Sequence, residues 1–523
     1  MKALSEVYGD RITGSISGWD HLRFRGTRSW LASAQGLGTY LNTIGIRLKQ
    51  FGSWADHLTT KVRKACTQRA EELGIPMIYL RKPSVDKEAE ARRVAQERGV
   101  DTGNICMFSV VEPCYAPSIR GNRATQHLEL EMGLRQCVHI YQYWNDPILG
   151  FGHTRLQSWL PLTATLCING RHWLERQLLR AGVAYVKDGN CFPFIADLQK
   201  AQALLDEQLQ VSWTPLLNEL LTRNCPIIHD LLGDVPVDYY WSACETEWAS
   251  DIVFRSARDL DQLFPSLLRY GLVTAQSPEV MRFLGRKIIR GRPAGSLPNE
   301  VGSDLRRRYE GMRLKHRVNG NAVKMYNKAG NLLRVETTIT QPNEFKVYRR
   351  PHDDQSRPAS WQRMRKGVCD LHRRAQVSQA CNQRYSEHLA AATISETLEQ
   401  TAKDICSPVT KDGRHYRALN PWAAADYHTL QFIARGETQI NGFRNRDLCG
   451  FLFGDSTTAK DPDQRRKISG RVTRRLRLLR AHGLIKKVSR THRYVLTAKG
   501  RKVTNAILAA SSVDTQKLMD MVA

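Results

Sequence analysis

The sequence predicts a multi-domain protein of the α/β or α+β class, built around a mixed β-sheet. Strand-length apolar segments alternate with helical segments through residue 350, and this alternation favours helices packed on a sheet. The chain has 523 residues, 41% of them hydrophobic, which is enough for about three domains with their own cores. We expect an N-terminal α/β region (1–100), a central core with basic hairpins (101–350), a basic helical linker (351–414) and a C-terminal domain (415–523).

The first half of the chain shows strand and helix patterns in turn. The apolar run Ile105–Val111 predicts a buried strand. We expect further strands at 11–24 and 77–80, two or three strands between 126 and 143 and another at 152–167, with helices at 30–66, 86–99, 170–182, 196–209, 213–223 and 256–269.

Acidic side chains near these strands are candidate catalytic or metal-binding groups. Glu112 directly follows the predicted buried strand, and a strand end is a common position for a catalytic acid. If 127–131 is a strand, His127, Glu129 and Glu131 share one face. Such clusters bind divalent metals in nucleases, although a surface or capping role is the simpler alternative for each acid. The other carboxylate candidates are Glu245, Glu247 and Asp251.

Two hairpins are predicted between residues 311 and 339. Asn319-Gly320, between strands of alternating polarity, is typical of a two-residue type I′ loop. Ala329-Gly330-Asn331 suits a three-residue loop. These loops set a register with two polar rows, Arg313–Tyr326–Arg334 and Lys315–Lys324–Glu336, and an apolar core face of Leu314, Val318, Val323, Met325, Leu333, Val335 and Ile339.

The polar rows leave two functions open. Lys315 and Lys324 repel each other unless an anion lies between them, and because Glu336 offsets only part of the charge, we expect a phosphate there. In one interpretation Tyr326 attacks a DNA phosphodiester and becomes covalently attached, the arginines stabilise the pentacoordinate phosphorus, and Glu336 holds Mg²⁺ or Mn²⁺ or orients the tyrosine. In the other, the basic sheet only binds backbone phosphate, and Tyr326 stacks on a base or fills an edge.

Two short motifs add a family resemblance. Met325-Tyr326-Asn327-Lys328 and Leu333-Arg334-Val335-Glu336 resemble the Tyr-Asp-Lys and Arg-x-Glu strands of plasmid rolling-circle replication initiators. The resemblance covers residues 313–336 and implies that the tyrosine-bearing strand supports nicking. The chain departs from the wider relaxase pattern because it has no His-hydrophobe-His motif; His127, His139 and His153 are scattered, so the metal ligands stay unassigned.

Residues 351–375 are polar and basic, with a helix expected from about Ser360, and they are predicted to be a linker or bridging helix. Further on, helices are predicted at 421–435 and 443–453. The run 464–481 is a basic helix with an apolar stripe of Ile468, Val472, Leu476 and Leu479, and Gly483 is expected to end it. Short strands at 485–488 and 493–496 follow.

Three helices and a hairpin predict a winged helix-turn-helix at the C-terminus. Leu479-Arg480-Ala481-His482-Gly483-Leu484-Ile485, with His492-Arg493-Tyr494 and Thr497-Ala498-Lys499-Gly500, resembles the winged helix of MarR-type bacterial regulators over about a fifth of the chain. The resemblance implies a basic helix in the DNA major groove and a wing on the backbone or minor groove. The alternatives are a winged helix used for protein contacts and a solvated charged helix. The expected nucleic-acid-binding residues are Lys467, Arg471, Arg474, Arg475, Arg490, His492 and Arg493, besides Arg313, Lys315, Lys324 and Arg334.

The overall charge agrees with a polyanionic partner. The chain has 78 Lys and Arg against 51 Asp and Glu, a net charge of +27. It lacks a signal-peptide pattern, an apolar run of membrane-spanning length and a Cys-x-x-Cys motif, so we expect a cytoplasmic protein with no membrane partner. The expected function is nucleic-acid binding in a mobile or replicating element, with DNA strand cleavage or transfer at a site selected by the winged helix. The alternatives are a non-enzymatic DNA-binding regulator or architectural protein and a structured-RNA-binding protein.

Overall fold

An eleven-stranded sheet forms the centre of the computed structural model. Its strand order is β12-β13-β14-β15-β9-β1-β6-β5-β4-β3-β2. Neighbours are antiparallel, except that β2 and β3 are parallel, so the predicted mixed sheet is confirmed. The residues that the structure describes are 4–124, 126–233, 235–285, 288–289, 292–293, 301–308, 311–351, 356–393, 398–435, 438, 442–454, 462–489, 491–511 and 513–514.

The strands of the main sheet come from a long stretch of the chain. Because β1 and β2 pair with later strands, the sheet spans the predicted boundary near residue 100. Its strands are β1 (Ile12–Thr27), β2 (Met77–Leu80), β3 (Gly103–Asn122), β4 (His127–Asp146), β5 (Gly150–Gln157), β6 (Ala164–Asn169), β9 (Tyr240–Phe254), β12 (Gly302–Arg308), β13 (Gly311–Val318), β14 (Asn321–Lys328) and β15 (Leu332–Ile339).

Short antiparallel pairs lie outside this sheet. They are β7 (Tyr185–Asp188) with β8 (Cys191–Ile195), β10 (Ile288–Ile289) with β11 (Arg292–Pro293), β16 (Lys346–Arg349) with β17 (Ser360–Arg363), β18 (Val409–Lys411) with β19 (Arg414–Tyr416), and β20 (Ile485–Lys487) with β21 (Tyr494–Leu496).

The helices agree well with the predicted ones. Asp86 caps α4 by accepting hydrogen bonds from the backbone of Glu88 and Ala89, and Gly99 ends it with a φ of +62°. The helices are α1 (Leu4–Val7), α2 (Ala34–Thr43), α3 (Phe51–Glu72), α4 (Lys87–Arg98), α5 (Gly170–Arg180), α6 (Leu198–Glu207), α7 (Trp213–Asn224), α8 (Ala257–Thr274), α9 (Ser277–Phe283), α10 (Leu371–Leu389), α11 (Leu398–Lys403), α12 (Ala424–Ala434), α13 (Asn445–Phe453), α14 (Pro462–Ala481) and α15 (Ala498–Ser511).

Two strand predictions are wrong: one observed strand was predicted as two or three strands, and one predicted strand is observed as two. Residues 127–146 form the single strand β4, which pairs with β3 along its whole length. The single strand expected at 152–167 is instead the two strands β5 and β6. The loop between them contains Leu160 and Leu162, which are fully buried, and its apolar character concealed the turn.

The predicted register of the 311–339 hairpins is confirmed. Tyr326 pairs with Arg313 and Arg334, and Lys324 pairs with Lys315 and Glu336. All seven residues of the predicted core face are at most 1% exposed.

The type I′ turn predicted for the first hairpin is wrong. Among the described residues with positive φ, Asn319 (+53°) is present but Gly320 is not, and a type I′ turn needs both. Glycine is needed there for space, because a Cβ atom on Gly320 would lie 2.3 Å from the Thr340 Oγ1.

Helix α10 packs on the main sheet. The helix expected near Ser360 begins at Leu371, and Ser360–Arg363 is β17, so the prediction of a helix start there is wrong. The Asn382 amide of α10 donates to the carbonyls of Trp248 on β9 and Val335 on β15, each at 3.0 Å. The helix contributes buried side chains to two hydrophobic clusters of the sheet.

The C-terminal elements have a hydrophobic cluster of their own. Its buried members all lie between Ile405 and Ile507 and include the predicted stripe of α14. The helix ends at Ala481, as predicted, and Gly483 has a φ of +72°. No helix in the described part of the chain is long and apolar enough to cross a membrane.

Candidate active site on the polar face of the sheet

The polar rows of the hairpins lie on the sheet face opposite α10. Val323, Met325 and Val335 pack in the same cluster as Tyr385 of α10. Because side chains alternate along a strand, Lys324 and Tyr326 point the other way. The matching positions on β9 are Glu247 and Asp251, which pair with Thr338 and Arg334.

Three carboxylates meet on this face. One oxygen from each of Asp20, Glu247 and Glu336 lies within 4.8 Å of the others. Asp20 falls at an irregularity of β1, because Trp19 pairs with Trp248 whereas His21 pairs with Glu247. This extra residue is a β-bulge, which turns the Asp20 side chain toward the two glutamates. We call Asp20, Glu247 and Glu336 the carboxylate cluster.

Lys324 supplies the positive charge at this cluster. Its ammonium lies 2.5 Å from Glu247 Oε1 and 2.6 Å from Glu336 Oε1. Burial works to lower the pKa of Lys324, but the two carboxylates outweigh burial and hold that pKa well above its usual value. The second carboxylate beside Lys324 therefore comes from β9, which the hairpin register alone did not predict.

The two glutamates respond differently to this environment. Burial and then the Glu336 carboxylate raise the pKa of Glu247. Burial also opposes ionisation of Glu336, yet Lys324 and Arg334 overcome it and lower the pKa of Glu336. Glu247 is therefore the better proton acceptor of the pair.

Tyr326 lies beside the cluster among both cationic and acidic side chains. Its side chain is 9% exposed, and Arg313 and Arg334 flank it on the neighbouring strands. The Lys328 ammonium lies 5.3 Å from the ring centroid. Burial and the Glu336 carboxylate raise the pKa of the Tyr326 phenol, so the phenol carries its proton at neutral pH.

Arg334 is fully buried in an ion-pair network under the site. Its guanidinium contacts Asp251 through Nε at 2.6 Å and through a terminal nitrogen at 2.9 Å, and its other terminal nitrogen lies 3.2 Å from Asp20 Oδ1. Arg171 contacts the same Asp251 at 2.9 Å. Asn190 donates to both oxygens of Asp20. The predicted phosphate-binding Arg334 is therefore a positioning residue for Asp20.

A divalent ion fits the donor set with a small adjustment. Opposite oxygen ligands of an octahedral Mg²⁺ ion are about 4.2 Å apart, and the three carboxylate oxygens spread over 4.8 Å at most. Because the Lys324 ammonium occupies the space between Glu247 and Glu336, an ion bound by both would displace it.

A groove beside β1 is lined by basic and acidic residues, and the three cluster carboxylates are not part of its lining. His21 and Arg23 line it with His153 and Arg155 of β5, and its volume is about 400 Å³. Burial is the main reason that the pKa of His153 falls to about 3, so His153 is neutral and the arginines carry the positive charge. Arg25, two residues beyond Arg23, is exposed.

Glu112 lines this groove, which we call the second area, and does not lie beside Tyr326. In the strand order, β14 and β3 are separated by β15, β9, β1, β6, β5 and β4. The Glu112 carboxylate accepts hydrogen bonds from Tyr141 at 2.8 Å and Arg155 at 2.9 Å and pairs with Lys87 at 3.0 Å. The structure therefore does not bring the predicted catalytic Glu112 together with Tyr326 and Glu336.

The remaining candidate ligands are dispersed. His127 and Glu129 are exposed on β4, where Glu129 accepts a hydrogen bond from Asn122. His139 is buried, and burial chiefly lowers its pKa to about 4. The structure joins neither histidine to the carboxylate cluster.

The predicted DNA-contacting residues of α14 divide into two groups. Lys467, Arg471 and Arg474 are exposed, at spacings that place them on one helix face. Arg475 instead donates to the Ala425 carbonyl at 2.9 Å and to the Thr429 hydroxyl at 3.0 Å, within the C-terminal fold. His492 is exposed and Arg493 is half-buried, and Arg490 lies outside the described residues.

Asp20 was missed by sequence reasoning, although a signal was present. From Trp19 to Arg25 polar and apolar residues alternate except at Asp20-His21, where two polar residues are adjacent. This break is the signal, because strict alternation would place Asp20 on the face opposite Arg23 and Arg25, with Leu22 and Phe24. The bulge that aims Asp20 could not be read from this pattern, because it depends on pairing with β9.

No protein-family model, curated protein or solved structure matches the chain.

Proposed function

We propose that the protein cleaves or transfers DNA strands of a mobile or replicating element, with Tyr326 as the nucleophile beside the carboxylate cluster. One observation carries the proposal: a tyrosine flanked by Arg313 and Arg334 lies beside three converging carboxylates. Arg313 is the cation that would stabilise the charge developing on an attacked phosphate, because Arg334 is fully buried and paired with Asp251 and Asp20.

In the proposed reaction the Tyr326 oxygen attacks the phosphorus of a phosphodiester. A tyrosyl–phosphate bond forms, and the bond to one nucleoside oxygen breaks. A carboxylate of the cluster takes the phenol proton, and the departing nucleoside oxygen takes a proton from water. Mg²⁺ or Mn²⁺ at the carboxylate cluster would supply charge neutralisation for the phosphate oxygens.

We further propose that residues 424–511 form a winged helix-turn-helix that selects the DNA site. Helices α12, α13 and α14 precede the β20–β21 pair, which is the element order of such a module. The exposed row Lys467, Arg471 and Arg474 supports α14 as the helix that enters the major groove.

A covalent-adduct assay tests the nucleophile. The protein is incubated with labelled single-stranded and duplex DNA and Mg²⁺ or Mn²⁺, and the products are separated under denaturing conditions. We expect a labelled protein band that Tyr326→Phe abolishes. Tyr141→Phe is the matched control, because Tyr141 pairs with Arg155 as Tyr326 pairs with Arg334 but lies away from the cluster.

Other outcomes lead to other functions. Cleavage that survives Tyr326→Phe but is lost in Glu112→Gln moves the site to the second area. Absence of cleavage, with salt-sensitive duplex binding lost on removal of 415–523, supports a non-enzymatic regulator. That alternative is favoured by the low exposure of Tyr326 and by the ammonium already at the carboxylates. Co-purification of one RNA species supports the RNA-binding alternative.

A further inference from the structure

The β16–β17 pair carries two aromatic residues that face solvent. Tyr348 is 61% exposed and Trp361 is 55% exposed. They are register partners across the two strands, with ring centroids 5.6 Å apart. Val347, on the other side of β16, is only 3% exposed, so the strand is anchored while its aromatic side is not used for packing.

Cations surround this aromatic pair. Lys346 and Arg363 are the neighbouring register partners on the same side, and the Arg373 guanidinium lies 5.5 Å from the Trp361 ring centroid. Among the described residues, the lining of an adjoining cavity of about 740 Å³ includes no acidic side chain. The lining includes Lys346, Arg349, Trp361, Arg363, Arg365 and Lys366.

This combination matches the chemistry of unpaired nucleotides. Exposed rings stack on bases, and cations contact the phosphates that join them. A duplex keeps its base faces inside the helix, so it can offer the patch its phosphates only. An apolar protein partner is disfavoured, because the aromatic pair lies beside the cations Lys346, Arg363 and Arg373.

The patch is connected to the main sheet near the carboxylate cluster. The Ala243 amide of β9 donates to the Lys366 carbonyl at 2.7 Å, and Gly367 pairs with Ser242. Ala243 precedes Glu247 by four residues, roughly 13 Å along a strand. Tyr326 lies four residues farther along, in the register row of Asp251, so the patch is a separate site on the molecule.

We propose that Tyr348 and Trp361, with Lys346 and Arg363, form a binding site for an unpaired polynucleotide segment. Bases stack on the two rings, and the cations bind the adjacent phosphates. The site deepens the proposed function, since it specifies a single-stranded substrate region. It rests on nucleic-acid binding and does not depend on cleavage.

Fluorescence anisotropy with a labelled oligothymidylate tests the site, using the full chain with Tyr326→Phe as background to prevent cleavage. We expect Tyr348→Ala and Trp361→Ala each to weaken single-strand binding by about 10-fold or more, while binding to a duplex of the same length changes by less than about twofold. Arg363→Gln should lower the dependence of log K on log salt by about 0.7. Trp30→Ala is the matched control, because Trp30 is another exposed tryptophan, at 51%.

Unchanged single-strand affinity in both aromatic variants would overturn the proposal, as would an equal loss of duplex and single-strand binding. A parallel titration with an oligouridylate distinguishes DNA from RNA as the source of the strand, because a loss confined to one polymer identifies it. If no covalent adduct forms while Tyr348→Ala and Trp361→Ala still weaken single-strand binding, Tyr326 is not the nucleophile and the polynucleotide-binding site is still supported.

Discussion

Lys324 and Lys315 face each other across β13 and β14 but have opposite electrostatic roles. Lys324 neutralises two buried carboxylates. We expect Lys324→Met to lower the free energy of unfolding by about 3 kcal/mol, because removing one partner of a buried ion pair leaves the others uncompensated. Chemical denaturation at pH 7 measures this, and Mn²⁺ or Mg²⁺ should restore part of the loss by replacing the ammonium.

Lys315→Met is the control for that experiment. Burial and the nearby Lys324 charge lower the pKa of Lys315, so its removal relieves repulsion and should leave stability unchanged or slightly raised. Equal losses in the two variants, or no divalent-ion effect in Lys324→Met, would contradict the assignment of the carboxylate cluster as a cation site.

Residue positions on the hairpins could be predicted from the sequence because loop length sets the pairing register. The partners on β1 and β9 could not, since they are distant in sequence and Asp20 reaches the cluster through a bulge. Arg334 shows the same limit: its row was predicted, but its burial against Asp251 depends on β9.

At the scale of elements, α5 and the β7–β8 pair together support Asp20. Asn190, between β7 and β8, holds the Asp20 carboxylate. Helix α5 contacts the β7–β8 pair through an ion pair, because the Lys187 ammonium of β7 lies 2.5 Å from the Glu175 carboxylate of α5. Burial works to raise the pKa of Glu175, but hydrogen bonds from His172 and Lys187 outweigh it and bring the pKa to about 2.

This contact makes stability depend on pH in a defined direction. Because the folded-state pKa of Glu175 is depressed, its contribution is present above pH 4.5 and is lost as pH falls toward about 2. We expect Glu175→Gln to destabilise by about 1–2 kcal/mol at pH 7, allowing for partial solvent screening, and by much less at pH 3. Urea denaturation at the two pH values measures the difference. Glu88→Gln is the control: it removes an exposed i,i+4 ion pair with Arg92 and should change the free energy of unfolding by less than about 0.5 kcal/mol. A pH-independent difference would contradict the ion pair.

Helix α14 gives a second test at this scale. Arg471 and Arg474 are exposed, whereas Arg475 bonds to α12. We expect Arg471→Ala and Arg474→Ala each to reduce the salt dependence of duplex binding by about 0.9 in log–log slope, the loss of one phosphate contact, without a change in stability. Arg475→Ala should instead lower stability by about 1–2 kcal/mol and leave the slope unchanged. Anisotropy at several salt concentrations and thermal denaturation separate the two effects, and a reversed pattern would remove α14 as the DNA-facing helix.

Element types were predictable where periodicity and end signals agreed. The α4 and α14 ends follow their capping residues. The ends of strands were predicted wrongly where local polarity was misleading. β4 continues through a polar stretch that pairs only with β3, and the loop between β5 and β6 is apolar and buried. The helix expected at Ser360 failed because basic residues there occupy β17.

At the scale of the molecule, one sheet joins segments from Ile12 to Ile339, and α10 covers it from behind. β1 is central, with β9 and β6 as neighbours. The carboxylate cluster draws on β1, β9 and β15, so it forms only when both halves of the sheet are assembled. The net charge of +27 predicts a polyanionic partner, and exposed basic side chains occur on β16–β17 and α14, whereas the hairpin cations Lys324 and Arg334 are buried against carboxylates.

The hydrophobic clusters divide the chain more sharply than the sheet does. The buried residues of the four clusters that involve the main sheet lie at or before Ala390, and those of the C-terminal cluster begin at Ile405. We therefore expect a chain ending at residue 393 to fold and to keep the divalent-ion response of Lys324→Met and the single-strand binding of the β16–β17 patch. Its duplex affinity should fall by at least about 10-fold, the effect of losing several phosphate contacts. Denaturation curves and anisotropy on the truncated and full chains measure both properties. Unfolding of the truncated chain would show that the sheet needs the C-terminal elements for stability. Retention of full duplex affinity would show that these elements do not bind the DNA.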